Sequence, residues 1–191
     1  LPKWVNDFNA KDEPAKAMKK DWTTLYDIKN YTLSTADDKP YENNIKGLKT
    51  ATFPHKLSTI DDKDKYEAFK TTPFANNYTF NFAQEAIYNE KLGQRGVTDF
   101  LAVSISSTDY IGHSFGPNSI EIQDTYLRLD FALTEFLMYL DNILGKGNYT
   151  LFLTADHGVA HIPEFLNENK MPAGTFEDGD IIKELNEAIE E

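Results

Sequence analysis

Two short apolar runs, residues 100–106 and 150–155, stand on either side of one long helical pattern, and this arrangement constrains the fold more than any other feature of the chain. Each run has the length of a buried strand, and the first is partly β-branched. Between them Ile122, Leu129, Leu133, Phe136, Leu140 and Leu144 recur at helical spacing, which predicts a helix over about 118–144. Asn118 or Ser119 supplies its N-cap, and Gly145 and Gly147 end it. Strand, long helix, strand is a βαβ unit with a right-handed crossover, so the expected fold class is α/β with a parallel-sheet core.

The rest of the chain divides by texture. From Phe80 onward, Phe82, Ala83, Ala86, Ile87 and Leu92 predict one more amphipathic helix, stopped at Gly93. A last helical pattern runs from Asp180 to Glu191. Residues 80–191 are thus expected to form a partial α/β core, the part of the chain that holds the candidate ligands described below. Residues 1–79 show no sustained period and are broken by Pro14, Pro40, Pro54 and Pro73. They are read as an irregular inserted covering segment packed on that core, with short helices around 2–8 and 62–70, the second capped by Asp61. Its aromatics, among them Trp4, Trp22, Tyr26, Tyr31 and Phe53, are assigned to packing. His55 is read as a surface or packing residue, and Glu121, Asp124 and Asp130 as the solvated face of the long helix.

Charge and composition exclude several roles. A net charge of −12, from 31 acidic residues against 19 basic ones, repels nucleic-acid phosphates and anionic membrane surfaces. Any phosphate the protein handles must be drawn by something locally positive. Arg95 and Arg128 are the only arginines, so a bound metal cation is the natural source of that charge. The absence of cysteine leaves oxygen and imidazole as ligands. No apolar run approaches the roughly 20 residues of a membrane span.

Ligands collect beyond the carboxyl ends of strands in open parallel sheets, and a carboxylate with an imidazole follows each predicted strand. Asp109 and His113 are four apart, a spacing that brings both to one side of a helical turn. Asp156 and His157 are adjacent, with Gly158 able to turn the chain so that they converge. Carboxylate oxygen with histidine nitrogen suits zinc better than magnesium or calcium. His161, in Val159-Ala160-His161-Ile162-Pro163, is read as an ordinary hydrogen-bonded histidine.

The stretches Ser107-Thr108-Asp109-Tyr110-Ile111-Gly112-His113-Ser114-Phe115-Gly116-Pro117 and Leu153-Thr154-Ala155-Asp156-His157-Gly158 resemble the metal-binding signatures of the alkaline phosphatase superfamily. Residues 91–166, together with Trp22-Thr23-Thr24-Leu25-Tyr26, are most similar to the phosphate-irrepressible bacterial alkaline phosphatases and related type I phosphodiesterases. The resemblance implies an alkaline-phosphatase-like fold and two-zinc hydrolysis of a small phosphate ester by phosphoryl transfer. It assigns Asp109 and His113 to one zinc and Asp156 and His157 to the other. It also implies a periplasmic or secreted enzyme. The family's Ser or Thr nucleophile, a further aspartate and a third histidine have no counterpart among these residues. The chain, which starts at Leu1 rather than Met, is accordingly expected to be an internal portion of a longer enzyme, inactive by itself.

Two other readings stand beside this one. Gly112-His113-Ser114-Phe115-Gly116 fits the Gly-x-Ser-x-Gly elbow of Ser-His-Asp hydrolases, with Ser114 as nucleophile and Asp156 or His161 completing the set. From a different class comes a folded binding or covering module without catalysis.

Overall fold

The computed structural model describes residues 1–175 and 178–190. Helices, counting two short 3-10 turns at Ile28–Asn30 and Leu57–Thr59 beside the α-helices, account for about 50% of the described residues and strand for 1%. In chain order the α-helices are α1 (Lys3–Ala10), α2 (Glu13–Ala17), α3 (Lys65–Lys70), α4 (Phe74–Glu90), α5 (Ser107–Phe115), α6 (Ile120–Leu144), α7 (Pro163–Glu168) and α8 (Asp178–Glu190). Two units are distinct, Leu1–Gly158 and Val159–Glu191.

The expected parallel sheet is absent among the described residues. The β pairing there is an isolated antiparallel bridge between Trp22 and His55, with reciprocal bonds of 3.0 and 2.9 Å. Residues 100–105 and 150–155 form no ladder. The apolar pattern of a run reports that it is built to be covered, and does not supply the neighbour that its N–H and C=O groups require. Val103 and Ile105 do pack inward, but Phe100 stays 89% exposed and Phe152 86%. The α/β class inferred from these two runs is therefore corrected to a helical one.

Helix prediction fared better where caps and periodicity agreed. α6 begins at Ile120 because the Ser119 side chain accepts from the Ile122 N–H at 3.2 Å, and it ends where Gly145 adopts φ 86°. α4 starts six residues ahead of the apolar pattern that announced it, at Phe74 directly after Pro73. In α3 the cap position belongs to Asp64, whose side chain makes no capping bond. Asp61 contributes its backbone carbonyl to the N–H groups of Asp64 and Lys65 instead of a side-chain cap.

Two apolar clusters hold the first unit together. One joins Met18, Trp22, Ile45, Leu57 and Phe69 to Ile111 and Phe115 of α5 and Ile122 of α6. The other zips α4 to α6 through Phe80, Ala83, Ile87, Ala132, Phe136 and Leu140. Phe80 and Phe136 meet with ring centroids 5.1 Å apart. Fully burying a side chain of that size contributes roughly 1.5–3 kcal/mol. Much of the first cluster comes from residues before position 79, which wrap α5 and the start of α6. In the second unit, His161 and Phe165 stack with centroids 5.1 Å apart, and Ile181, Ile182, Leu185 and Ile189 of α8 lie exposed. No described helix is long and apolar enough to cross a membrane.

Candidate metal centre

The bearing of α5 sets the site. Ser107, Ile111 and Phe115 are spaced four apart and all are buried, so they define the inner face of the helix. Asp109 and His113 are each offset by two residues from that series, about 200° around the axis, and face outward. Their spacing lets Asp109 Oδ1 and His113 Nε2 approach to 3.5 Å.

The end of the second apolar run meets the same place. His157 Nε2 lies 3.4 Å from Asp109 Oδ1 and 3.9 Å from Asp156 Oδ1. His157 Nδ1 is 2.8 Å from the Gly158 carbonyl, which fixes the proton on that nitrogen and leaves Nε2 facing the carboxylates. This bond, followed by the nearby Asp156 and Asp109 carboxylates, raises the His157 pKa above its ordinary value. One carboxylate oxygen of Asp109 thus stands within 3.5 Å of two imidazole nitrogens from different parts of the chain. Asp156 adjoins them with its side chain 92% exposed.

The donors suit zinc in kind, being imidazole nitrogen and carboxylate oxygen. In number they fall short. Among the described residues no three His, Cys, Asp or Glu side chains are arranged to hold one ion, whereas catalytic zinc sites draw on three protein ligands.

Ser114 sits near the end of α5, inside the helix, with its carbonyl accepting from the Asn43 N–H at 2.7 Å. A nucleophile elbow needs its serine on a sharp strand-to-helix turn, and that turn is missing here.

Sequence reasoning missed a buried polar centre behind the rim. Asp124, assigned to a solvated face, is 0% exposed. Its carboxylate accepts from Trp22 Nε1 at 2.7 Å, the Tyr31 hydroxyl at 2.5 Å, the Leu25 N–H at 2.6 Å and Arg128 Nε at 2.6 Å. Burial first, and the bond to Asp124 next, push the Tyr31 phenol up to about 12, so it stays a donor. Glu121 is buried too, 2.9 Å from His55 Nε2. Burial pushes Glu121 up to about 8 and His55 down to about 4, so the pair is a neutral carboxyl O–H donating to a neutral imidazole and not a salt bridge. In that tautomer the Nδ1–H of His55 is buried without a partner, while Trp22, Phe53 and Phe115 enclose the ring. The signal was present in the sequence: Glu121, Asp124, Thr125 and Arg128 share one helix face, and Trp22 and Tyr31 need acceptors once buried.

Residues 4–185 match the type I phosphodiesterase / nucleotide pyrophosphatase family. The chain belongs to that family. It is 60% identical over 174 residues to alkaline phosphatase PhoV of Synechococcus elongatus, covering 91% of this chain and 31% of that protein. It is 54% identical over 191 residues to a protein of Myroides odoratus named calcium-transporting ATPase, covering 99% of this chain and 35% of that one. A crystal structure of wild-type alkaline phosphatase PafA superposes with a TM-score of 0.93 at 48% identity, over 99% of this chain and 36% of that one. This member of the type I phosphodiesterase family therefore spans about a third of the length of the relatives it matches.

Proposed function

We propose that the chain supplies part of a two-zinc site that hydrolyses small phosphate esters by phosphoryl transfer. The observation carrying this reading is the meeting of Asp109 Oδ1 with the Nε2 atoms of His113 and His157 at 3.5 and 3.4 Å. Membership of the phosphodiesterase family and similarity to proteins named alkaline phosphatase support the reaction class. Asp109 and His113 would hold one zinc, and Asp156 and His157 the other. When bound, such ions activate the attacking oxygen and offset charge on the leaving oxygen.

The residues of this chain orient and neutralise. The Gly158 carbonyl keeps His157 in the tautomer whose Nε2 is free to coordinate. The carboxylates supply negative charge that would retain such cations, whose positive charge would offset the repulsion between a phosphate and a chain carrying −12. The family resemblance puts the nucleophile and the remaining ligands in parts of the enzyme that these residues do not match, in keeping with a chain that spans about a third of its relatives' length. The working compartment is the periplasm or the exterior of the cell, as the family resemblance implies.

The test uses the full-length enzyme and a chromogenic phosphate monoester and diester. Asp109→Ala or His157→Ala is expected to lower turnover by several orders of magnitude with circular dichroism unchanged. Either variant hydrolysing both esters at the native rate would overturn the assignment.

A further inference from the structure

The first two residues of α5 spend their side chains on anchoring. Ser107, buried, donates its hydroxyl toward the Lys70 carbonyl at 2.7 Å and the Thr72 carbonyl at 2.5 Å. Lys70 is the last residue of α3, where a helix leaves carbonyls without intrahelical partners, and Thr72 lies in the turn leading to α4, its carbonyl also accepting from the Ala75 N–H at 3.2 Å. Thr108 Oγ1 accepts from Nδ2 of Asn76, a buried residue of α4, at 3.2 Å. The opening turn of α5 is therefore tied through the Ser107 and Thr108 side chains to the junction of α3 and α4, just ahead of Asp109.

We propose that Ser107 and Asn76 are positioning residues for the metal-binding rim, holding the first turn of α5 so that Asp109 meets both imidazoles. The proposal rests on the zinc reading above. Ile111 and Phe115 seat the later turns of the helix in the core, while the contacts of Ser107 and Thr108 fix the bearing of the first turn. A rotation of about 20° sweeps an atom about 5 Å from a helix axis through about 2 Å. Metal–ligand distances tolerate only about 0.2 Å, so a small loosening at Ser107 is amplified at the carboxylate.

The test measures zinc affinity of the full-length protein at 25 °C by competition with a chelating dye, with the thermal midpoint recorded alongside. Ser107→Ala and Asn76→Ala are each expected to weaken zinc binding about tenfold while the protein stays folded, and Asp109→Ala to lose one ion. Native zinc affinity in both anchor variants, with binding impaired in Asp109→Ala, would overturn the positioning role and leave the site assignment standing. Native stoichiometry in Asp109→Ala would instead sink the zinc reading. Should Ser107→Ala fail to fold, Asn76→Ala decides, since it removes one 3.2 Å bond.

Discussion

Asp124 and Asp109 sit on neighbouring helices and are the same residue type, yet their surroundings oppose each other at every point. Asp124 is sealed, with four donors converging on it from residues 22, 25, 31 and 128. Asp109 keeps 45% of its side chain exposed and faces two imidazoles that are themselves metal ligands by type. A buried carboxylate is tolerated only when its lone pairs are met by donors, and once they are met it has nothing left to offer a ligand. An exposed carboxylate set against bases still has that capacity. Asp124 serves the fold, whereas Asp109 keeps the capacity that the proposed metal site requires.

The sharpest way to break this contrast is to remove the scaffold carboxylate. Asp124→Ala strands the indole N–H of Trp22, the hydroxyl of Tyr31 and the guanidinium of Arg128, and so is expected to cost about 3–5 kcal/mol. Urea denaturation reads the loss directly. A cost below about 1 kcal/mol would mean that Asp124 does not organise the core.

A second prediction probes the other buried acid through pH. Glu121 titrates near 8 in the folded state against 4.5 when unfolded, so between these values the folded protein holds the extra proton and stability falls as pH rises. His55, lowered to about 4 from 6.5, acts in the opposite sense, raising stability with pH over its own interval. The two offset each other up to about 6.5, and from there to about 8 the Glu121 loss is no longer offset by His55. Glu42, pushed by burial up to about 7, adds a loss common to wild type and variant. Glu121→Gln is therefore expected to lose about 2 kcal/mol less than wild type between pH 6.5 and pH 8 in denaturant titrations. Equal losses would show that Glu121 is ionised in the fold at neutral pH.

The acid and imidazole pairs that the structure brings together stand out in the sequence, and the buried acids of α6 do not. Asp109 with His113, and Asp156 with His157, stand out as candidates because ligand chemistry uses few residue types at short spacings, and what the structure adds is their proximity. Long helices such as α6 were legible because caps and periodicity coincide. The sheet was misread because residues 100–106 and 150–155 carry the apolarity of strands, while pairing depends on partners that local pattern cannot name. Glu121 and Asp124 were misread for a related reason. Polar residues at helical spacing ordinarily face water, and only donors about 90 to 100 positions away, Trp22 and Tyr31 for Asp124, turn that face inward.

The smallest expected effect is the most informative about the rim. Asp156→Ala and His113→Ala remove side chains that are 92% and 75% exposed and meet their neighbours at 3.9 and 3.5 Å, distances at which screened surface ions contribute little. With a chelator present, so that no bound ion adds its own stabilisation, each is expected to shift the thermal midpoint by less than about 2 °C. The same substitutions are expected to abolish zinc binding at their respective sites, so stability and ligation separate at these positions. A large drop in the metal-free midpoint would instead make the rim part of the scaffold, and the distinction between Asp109 and Asp124 would vanish.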